Sequence, residues 1–316
     1  MHRITLFNTY IQSANLGDAI IMDYAEKQLR EIFPESYFFH ASTHEYNRRA
    51  SYKFIKHTSD QIVCGTNLMH NKMYLFNQWK INWIDAAFLN ATFMGVGTSA
   101  YYKNLDFYSK KLYHAVLSKD RLQSVRDGHT LELMHKIGFE NTVNTGCPTT
   151  WKLTPKFVEG IAKDKAKNVV CTITDYDGFS EIDKGFLKLL KKNYEKIFFW
   201  PQGFKDIELL EKLNAIEDVE LLSPSLESFD EILASEDVEY IGTRLHAGIR
   251  ALNFKRRTLI MAVDNRAIEM QKSIGLPVIL RKDALEFLPN YLGAKSELNI
   301  KIPGKAIETW KRQFKA

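Results

Sequence analysis

The chain has 316 residues, more than one hydrophobic core usually serves, with 45% hydrophobic, 12% aromatic and 26% charged residues; this excludes a disordered or fibrous chain and suggests two domains of roughly 100 to 200 residues each. A net charge of +5 and a pI near 8.8 permit an anionic small molecule, a lipid headgroup or nucleic acid without singling one out; dispersed Lys and Arg without a recognition motif argue against nucleic acid. Cys64, Cys147 and Cys171 stand far apart without C-x-x-C spacing, so no disulfide framework or zinc site is expected, and a reducing cytoplasm is the simplest compartment.

Met1-His2-Arg3-Ile4 runs into a strand rather than into the apolar stretch and cleavage site of a signal peptide. No run approaches the roughly 18 to 20 apolar residues of a membrane span; Asp85 and Asn90 interrupt the tract around Ala86. Strand Ile4 to Phe7 and a helical stretch with Ile20, Ile21, Tyr24, Ala25, Leu29 and Phe33 near helical period form a first βα unit. Strands follow at Gln61 to Cys64, Ala91 to Val96, Gln123 to Arg126 and Thr142 to Thr145, with a helix over Asp127 to Ile137.

Past the Cys147-Pro148 turn, Trp151 to Lys167 reads as a charged link, and the alternation restarts with strand Asn168 to Thr174. Helices at Lys184 to Asn193, Ile207 to Leu213 and Ser228 to Ser235 alternate with strands at Ile197 to Trp200, Val219 to Leu222, Val238 to Ile241 and Thr258 to Ala262. Alternation of this kind implies parallel sheets flanked by helices. The expected fold is α/β, two Rossmann-like domains facing a cleft in a GT-B-like arrangement, with domains over 1–150 and 151–316 and ligands at the carboxyl ends of the strands. The basic segment Lys305 to Lys315 carries Ile307, Trp310 and Phe314 on one helical face. That stripe suits packing back on the first domain, or peripheral membrane contact.

Val238 to Leu252 is the most informative stretch. It reads strand, turn, helix: Gly242 suits a sharp turn, Thr243 a helix N-cap, and Leu245, Ile249 and Leu252 a buried stripe. Arg244 and His246 then fall in the first turn, where the macrodipole disfavours cations unless an anion offsets them. Either a bound anion does so, or Arg244 pairs with a carboxylate of the other domain and His246 is a hydrogen-bonded core residue.

Gly242-Thr243-Arg244-Leu245-His246-Ala247, followed by a helix and a strand ending near Asp264, resembles the most recognisable motif of the polysaccharide pyruvyl transferase family. Other blocks of the resemblance occur in order: Asn15-Leu16-Gly17-Asp18 in the first loop, Ser124-Val125-Arg126-Asp127 before a helix ending at Gly138, and Val263-Asp264-Asn265-Arg266 before Gly275-Leu276-Pro277. Taken singly, Asp18 also suits a helix cap, and Arg126 with Asp127 an internal salt bridge. The chain departs from the family at Cys64-Gly65-Thr66-Asn67, where a glycine-rich turn is common, at Cys147-Pro148, where an aspartate is common, and at Arg266, which replaces a lysine.

The resemblance implies transfer of pyruvate from phosphoenolpyruvate, a donor substrate needing no cofactor or metal, onto a sugar that is free or lipid-linked, in cell-surface or exopolysaccharide biosynthesis. Work on a lipid-linked acceptor would place the protein at the inner face of the membrane. The donor would lie on the second domain and the acceptor on the first. His246 becomes the candidate acid, Arg244 and Arg126 the holders of phosphate and carboxylate, Arg266 a guard on the far side, and Thr243, Leu245, Asn15, Gly17 and Asp18 further substrate-binding positions. A GT-B glycosyltransferase using a nucleotide sugar and a non-catalytic carbohydrate-binding relative are the alternatives.

Overall fold

A computed structural model describes residues 2–176, 180–235 and 237–315. Contacts divide the chain into two units, the first made of Met1–Ser13, Ile21–Trp151 and Ile302–Ala316, the second of Ala14–Ile20 and Lys152–Lys301. Relative to a single break after residue 150, a short early segment is counted with the second unit and the last segment returns to the first.

The first unit contains β1 (Arg3–Asn8), α1 (Leu16–Ile32, its first residues counted with the second unit), β2 (Tyr37–Ser42), α2 (Arg49–Ile55), β3 (Asp60–Cys64), β4 (Thr92–Met94), α3 (Phe107–Val116), β5 (Gln123–Val125), α4 (Gly128–Lys136) and β6 (Thr142–Asn144). Four strands form a parallel sheet in the order β2-β1-β3-β4. β5 and β6 form a parallel pair that continues from β4 through the Gly95 N–H, which donates to the Ser124 carbonyl at 3.0 Å.

Both faces of this sheet are covered, and the period-two alternation of strand side chains distributes them. Ile4, Leu6, Ile62, Cys64 and Met94 enter one core with Met22, Ala25 and Leu29 of α1, whereas Phe7, Val63 and Phe93 enter the other with Leu112, Val116 and Leu133. The last helix of the chain also joins the α1 core. Its Trp310 is fully buried, edge-on to Trp151 at 5.7 Å and to Phe314 at 5.0 Å. The apolar stripe of this basic helix is therefore spent on packing and is not free for a membrane surface.

The second unit runs through α5 (Pro155–Val158), β7 (Asn168–Thr172), α6 (Glu181–Asn193), β8 (Ile197–Phe199), α7 (Asp206–Lys212), β9 (Glu220–Leu221), α8 (Leu226–Ser235), β10 (Val238–Gly242), α9 (Leu245–Asn253), β11 (Thr258–Ala262), α10 (Asn265–Ile274), β12 (Val278–Leu280) and α11 (Ala284–Gly293); the chain then returns to the first unit with α12 (Gly304–Arg312). Its six strands are parallel in the order β9-β8-β7-β10-β11-β12. Counted within the unit, this is the 3-2-1-4-5-6 order of doubly wound nucleotide-binding sheets, and the winding reverses between β7 and β10. β10 is buried along its whole length although it carries Glu239. Arg257 Nη1 and the Tyr194 hydroxyl each donate to Glu239 at 2.6 Å, which offsets the desolvation of a carboxylate near the amino end of the strand.

Candidate active site

The carboxyl ends of β7 and β10, where the winding reverses, are held together by one glycine and several hydroxyls. A Cβ on Gly242 would lie 2.7 Å from the Thr172 main chain, so only glycine permits this approach. The Thr243 N–H donates to the Thr172 carbonyl at 3.0 Å, the Thr174 N–H to Thr243 Oγ1 at 2.7 Å and the Arg244 N–H to Thr172 Oγ1 at 3.2 Å. Because its hydroxyl serves β7, Thr243 is not the N-cap expected from sequence. Arg244 takes that position in extended conformation and supplies no side-chain cap, so α9 begins one residue later. Leu245 and His246 form its first turn, both largely buried, and no acidic residue accompanies them there.

Arg244 is 4% exposed and paired within its own unit, not with a carboxylate of the first. Its Nε donates to Asp206 Oδ2 at 3.2 Å, its Nη2 bonds the other Asp206 oxygen and reaches Asp175 Oδ1 at 3.3 Å, and the guanidinium lies 4.8 Å from the centre of the Tyr176 ring. Burial disfavours the charge of Arg244, but Asp206 first, then Tyr176 and Asp175, together outweigh it and hold the guanidinium above its ordinary value. Burial pushes the Asp206 carboxyl up, against the pull of Arg244 and of the Gly203 and Gln202 N–H groups. Those two N–H groups donate to Asp206 Oδ2 at 2.7 and 3.0 Å.

The same loop reaches the first block of the resemblance. Gln202 Nε2 donates to Asn15 Oδ1 at 2.9 Å, the Leu16 N–H donates to the Gln202 carbonyl at 2.9 Å, and Asn15 pairs with Gly203 in an antiparallel bridge. Asn15 Oδ1 also accepts the Gly17 N–H at 2.9 Å. Asn15, not Asp18, therefore caps the start of α1, and a Cβ on Gly17 would meet Gln202 Nε2 at 2.8 Å. Asp18 sits in the first turn.

At the end of β11, Asp264 caps α10 by accepting the Arg266 N–H at 2.9 Å, and its second oxygen accepts from Arg266 Nε at 2.9 Å and Nη2 at 2.5 Å. Burial disfavours the Arg266 charge; Asp264 first, then Tyr176 and Asp18, outweigh it and raise the guanidinium above its ordinary value. The second unit thus gathers Asn15, Gly17, Asp18, Thr243, Arg244, Leu245, His246 and Arg266 around the carboxyl ends of β7, β10 and β11.

Arg126 belongs to the first unit. Buried to 4% exposure at the end of β5, its Nη2 donates to Asn67 Oδ1 at 2.8 Å and its Nε lies 3.6 Å from Asp127. Asp127 is turned mainly to α4, where it accepts from the Thr130 N–H and hydroxyl at 2.8 and 2.7 Å. A Cβ on Gly97 would enter the Arg126 guanidinium at 2.4 Å. The altered turn Cys64-Gly65-Thr66-Asn67 has both Gly65 (φ 57°) and Thr66 (φ 49°) in the left-handed region, and it delivers Asn67 to Arg126. Sequence reasoning missed Asn67, Asp175, Tyr176, Gln202, Gly203 and Asp206. Two signals marked some of them: the departure from the family at Cys64-Gly65-Thr66-Asn67, and Pro201-Gln202-Gly203, a turn signal after a strand.

These features define an α/β protein of two Rossmann-like units, one of which presents arginine, histidine and carboxylate side chains at a topological switch point. The model of the family described as polysaccharide pyruvyl transferase matches residues 15–265. The chain belongs to that family, one of transferases that modify polysaccharides. No curated protein matches it by sequence. Among solved structures it is similar to the UDP-GlcNAc 2-epimerase of Methanocaldococcus jannaschii in complex with UDP-GlcNAc and UDP, at a TM-score of 0.56 and 10% identity over 100% of this chain and 99% of that one. It is also similar to the UDP-GlcNAc 2-epimerase of Neisseria meningitidis (TM-score 0.48, 11% identity, 99% and 100% covered) and to the E. coli heptosyltransferase WaaC (TM-score 0.40, 12% identity, 91% and 99% covered). The first of these likenesses concerns fold, which is GT-B-like. Among the described residues no helix is long and apolar enough to cross a membrane.

Proposed function

We propose that the protein transfers the pyruvyl group of phosphoenolpyruvate to a pair of sugar hydroxyls as a ketal, in the assembly of a cell-surface or extracellular polysaccharide. One observation carries this reading: the family's Gly-x-Arg-Leu-His-Ala block opens α9 at the switch point of the second unit, where doubly wound sheets bind ligands. The start of α9 offers N–H groups without a side-chain cap, suited to an anion.

His246 donates a proton to C3 of phosphoenolpyruvate. One sugar hydroxyl adds to the resulting cationic C2 and loses its proton; the C2–O bond to phosphate breaks; the neighbouring hydroxyl closes the ring and loses the second proton. An imidazole is suited to this because its ordinary pKa is about 6.5. Arg244 and Arg266, both of the second unit, hold the donor's phosphate and carboxylate, for which guanidinium geometry is apt. Arg244 is held by Asp206 and Asp175 through Nε and Nη2, which leaves Nη1 as the edge it offers the donor, fixed before substrate arrives.

The test is to incubate the protein with phosphoenolpyruvate and a panel of lipid- or nucleotide-linked glycans, following phosphate release and the mass gain of one pyruvyl ketal. Nucleotide release from a sugar nucleotide, without turnover of phosphoenolpyruvate, would instead identify a glycosyltransferase. Glycan binding without turnover in either arm would identify a non-catalytic relative.

A further inference from the structure

Exposed large apolar side chains are concentrated in one stretch of the first unit. Tyr74, Leu75, Phe76, Trp83, Ile84 and Phe107 are 49 to 76% exposed. Tyr108 joins two parts of this stretch, since Tyr74 and Trp83 both pack edge-on to it, at 5.6 and 5.9 Å; Leu75, Ile84 and Phe107 are their chain neighbours, and Phe76 packs on His70 at 5.6 Å. Ile84 borders an open pocket shared with Arg49, Lys53 and Lys56, on and just beyond α2.

The charge of this stretch matches its apolar character. Residues 45–111 hold nine Lys or Arg against four Asp or Glu, an excess of five that equals the net charge of the whole chain, so the remaining residues balance. Of the four carboxylates, Asp85 is fully buried and accepts from Asn47 and Tyr52, Asp60 pairs with Arg121, and Asp106 caps α3. Among the charges exposed there, the cations therefore stand almost unopposed.

A contiguous apolar patch rimmed by charge marks an interaction surface. Aromatic side chains set among cations, with almost no exposed acid, suit the headgroup region of an anionic bilayer, where rings sit at the interface and Lys and Arg reach the phosphates. We propose that this face, and not the C-terminal helix, docks the protein on an anionic lipid surface. The inference is independent of the transfer reaction.

Co-sedimentation with vesicles of phosphatidylcholine alone, or mixed with phosphatidylglycerol, tests it. The expected result is at least about tenfold greater partitioning onto the anionic vesicles, weakened by salt. Phe76→Ser with Ile84→Ser, and separately Lys53→Glu with Lys56→Glu, should each abolish most of the binding. Lys191→Glu with Lys295→Glu, at two exposed lysines of the second unit, changes net charge equally and should retain it. Melting curves of all variants should match the parent. Equal or absent binding to both vesicle types overturns the proposal, as does loss of binding in the second-unit control equal to that in the patch variants. Self-association that the patch substitutions abolish, without vesicle binding, would make the face a contact between copies instead.

Discussion

Asp206 engages Arg244 through both carboxylate oxygens, and the loop that leads into Asp206 at the start of α7 has Gly203 where any side chain would enter the guanidinium at 2.2 Å. The pair is buried and its loop is bonded to Asn15, so the arginine of the recognisable motif is also a structural member. Arg244→Ala and Asp206→Ala should each destabilise the protein by about 3 to 5 kcal/mol, since either leaves a buried charge without its partner. The double variant should lose less than the sum. Chemical denaturation measures this; single variants within about 1 kcal/mol of the parent would show that the pair is dispensable and that Arg244 acts on the donor alone.

Gly203→Ala and Gly242→Ala separate two kinds of close approach. At Gly203 the obstacle is a guanidinium that can shift only by loosening its bond to Asp206, and a cost of about 1 to 3 kcal/mol is expected. At Gly242 the obstacle is the main chain of Thr172, which cannot move without separating β7 from β10, so this variant should be the less stable. Thermal melts decide the order, and a Gly242→Ala variant that melts like the parent would mean the switch point tolerates a side chain.

His246→Gln retains polarity and approximate size but has no proton to give to carbon. Turnover should fall by about 100-fold or more with little change in donor affinity. Calorimetry with phosphoenolpyruvate beside steady-state phosphate release reads both quantities. Near-normal turnover would assign the proton transfer to another group and leave His246 a binding or packing residue.

Trp310→Ala should cost about 3 to 5 kcal/mol, because a fully buried indole between Trp151 and Phe314 is replaced by a cavity. Vesicle binding of the folded variant should be unchanged. A variant that keeps its stability but loses vesicle affinity would return the membrane contact to α12.

Much of the second unit was legible because each of its central strands is a short apolar run bounded by turn residues, and because Gly242 to Leu252 carries both a turn signal and a helical stripe. Less local features were not. β2 and α2 follow Pro34 and a polar stretch without clean periodicity, and β12 is three residues long. The N-cap of α9 was displaced by one residue because the Thr243 hydroxyl is taken by Thr174 across the sheet, a tertiary bond that outweighs capping preference. Asp206 was invisible as a partner because it lies 38 residues from Arg244, and no spacing rule links the starts of two helices that follow β8 and β10, strands on opposite sides of β7. The stripe of α12 was readable, but whether it met protein or lipid depended on a partner surface more than 250 residues earlier, on α1.

Because α12 completes the core of the first unit although the second unit precedes it in sequence, the two units cannot mature in the order in which they are written. During synthesis, the half of the molecule begun first must wait for the whole of the other to emerge before Trp310 can fill its place beside Trp151. Until then Phe33, just past the end of α1, lacks the Phe314 ring it meets at 5.4 Å, a nascent apolar surface of the kind that chaperones recognise.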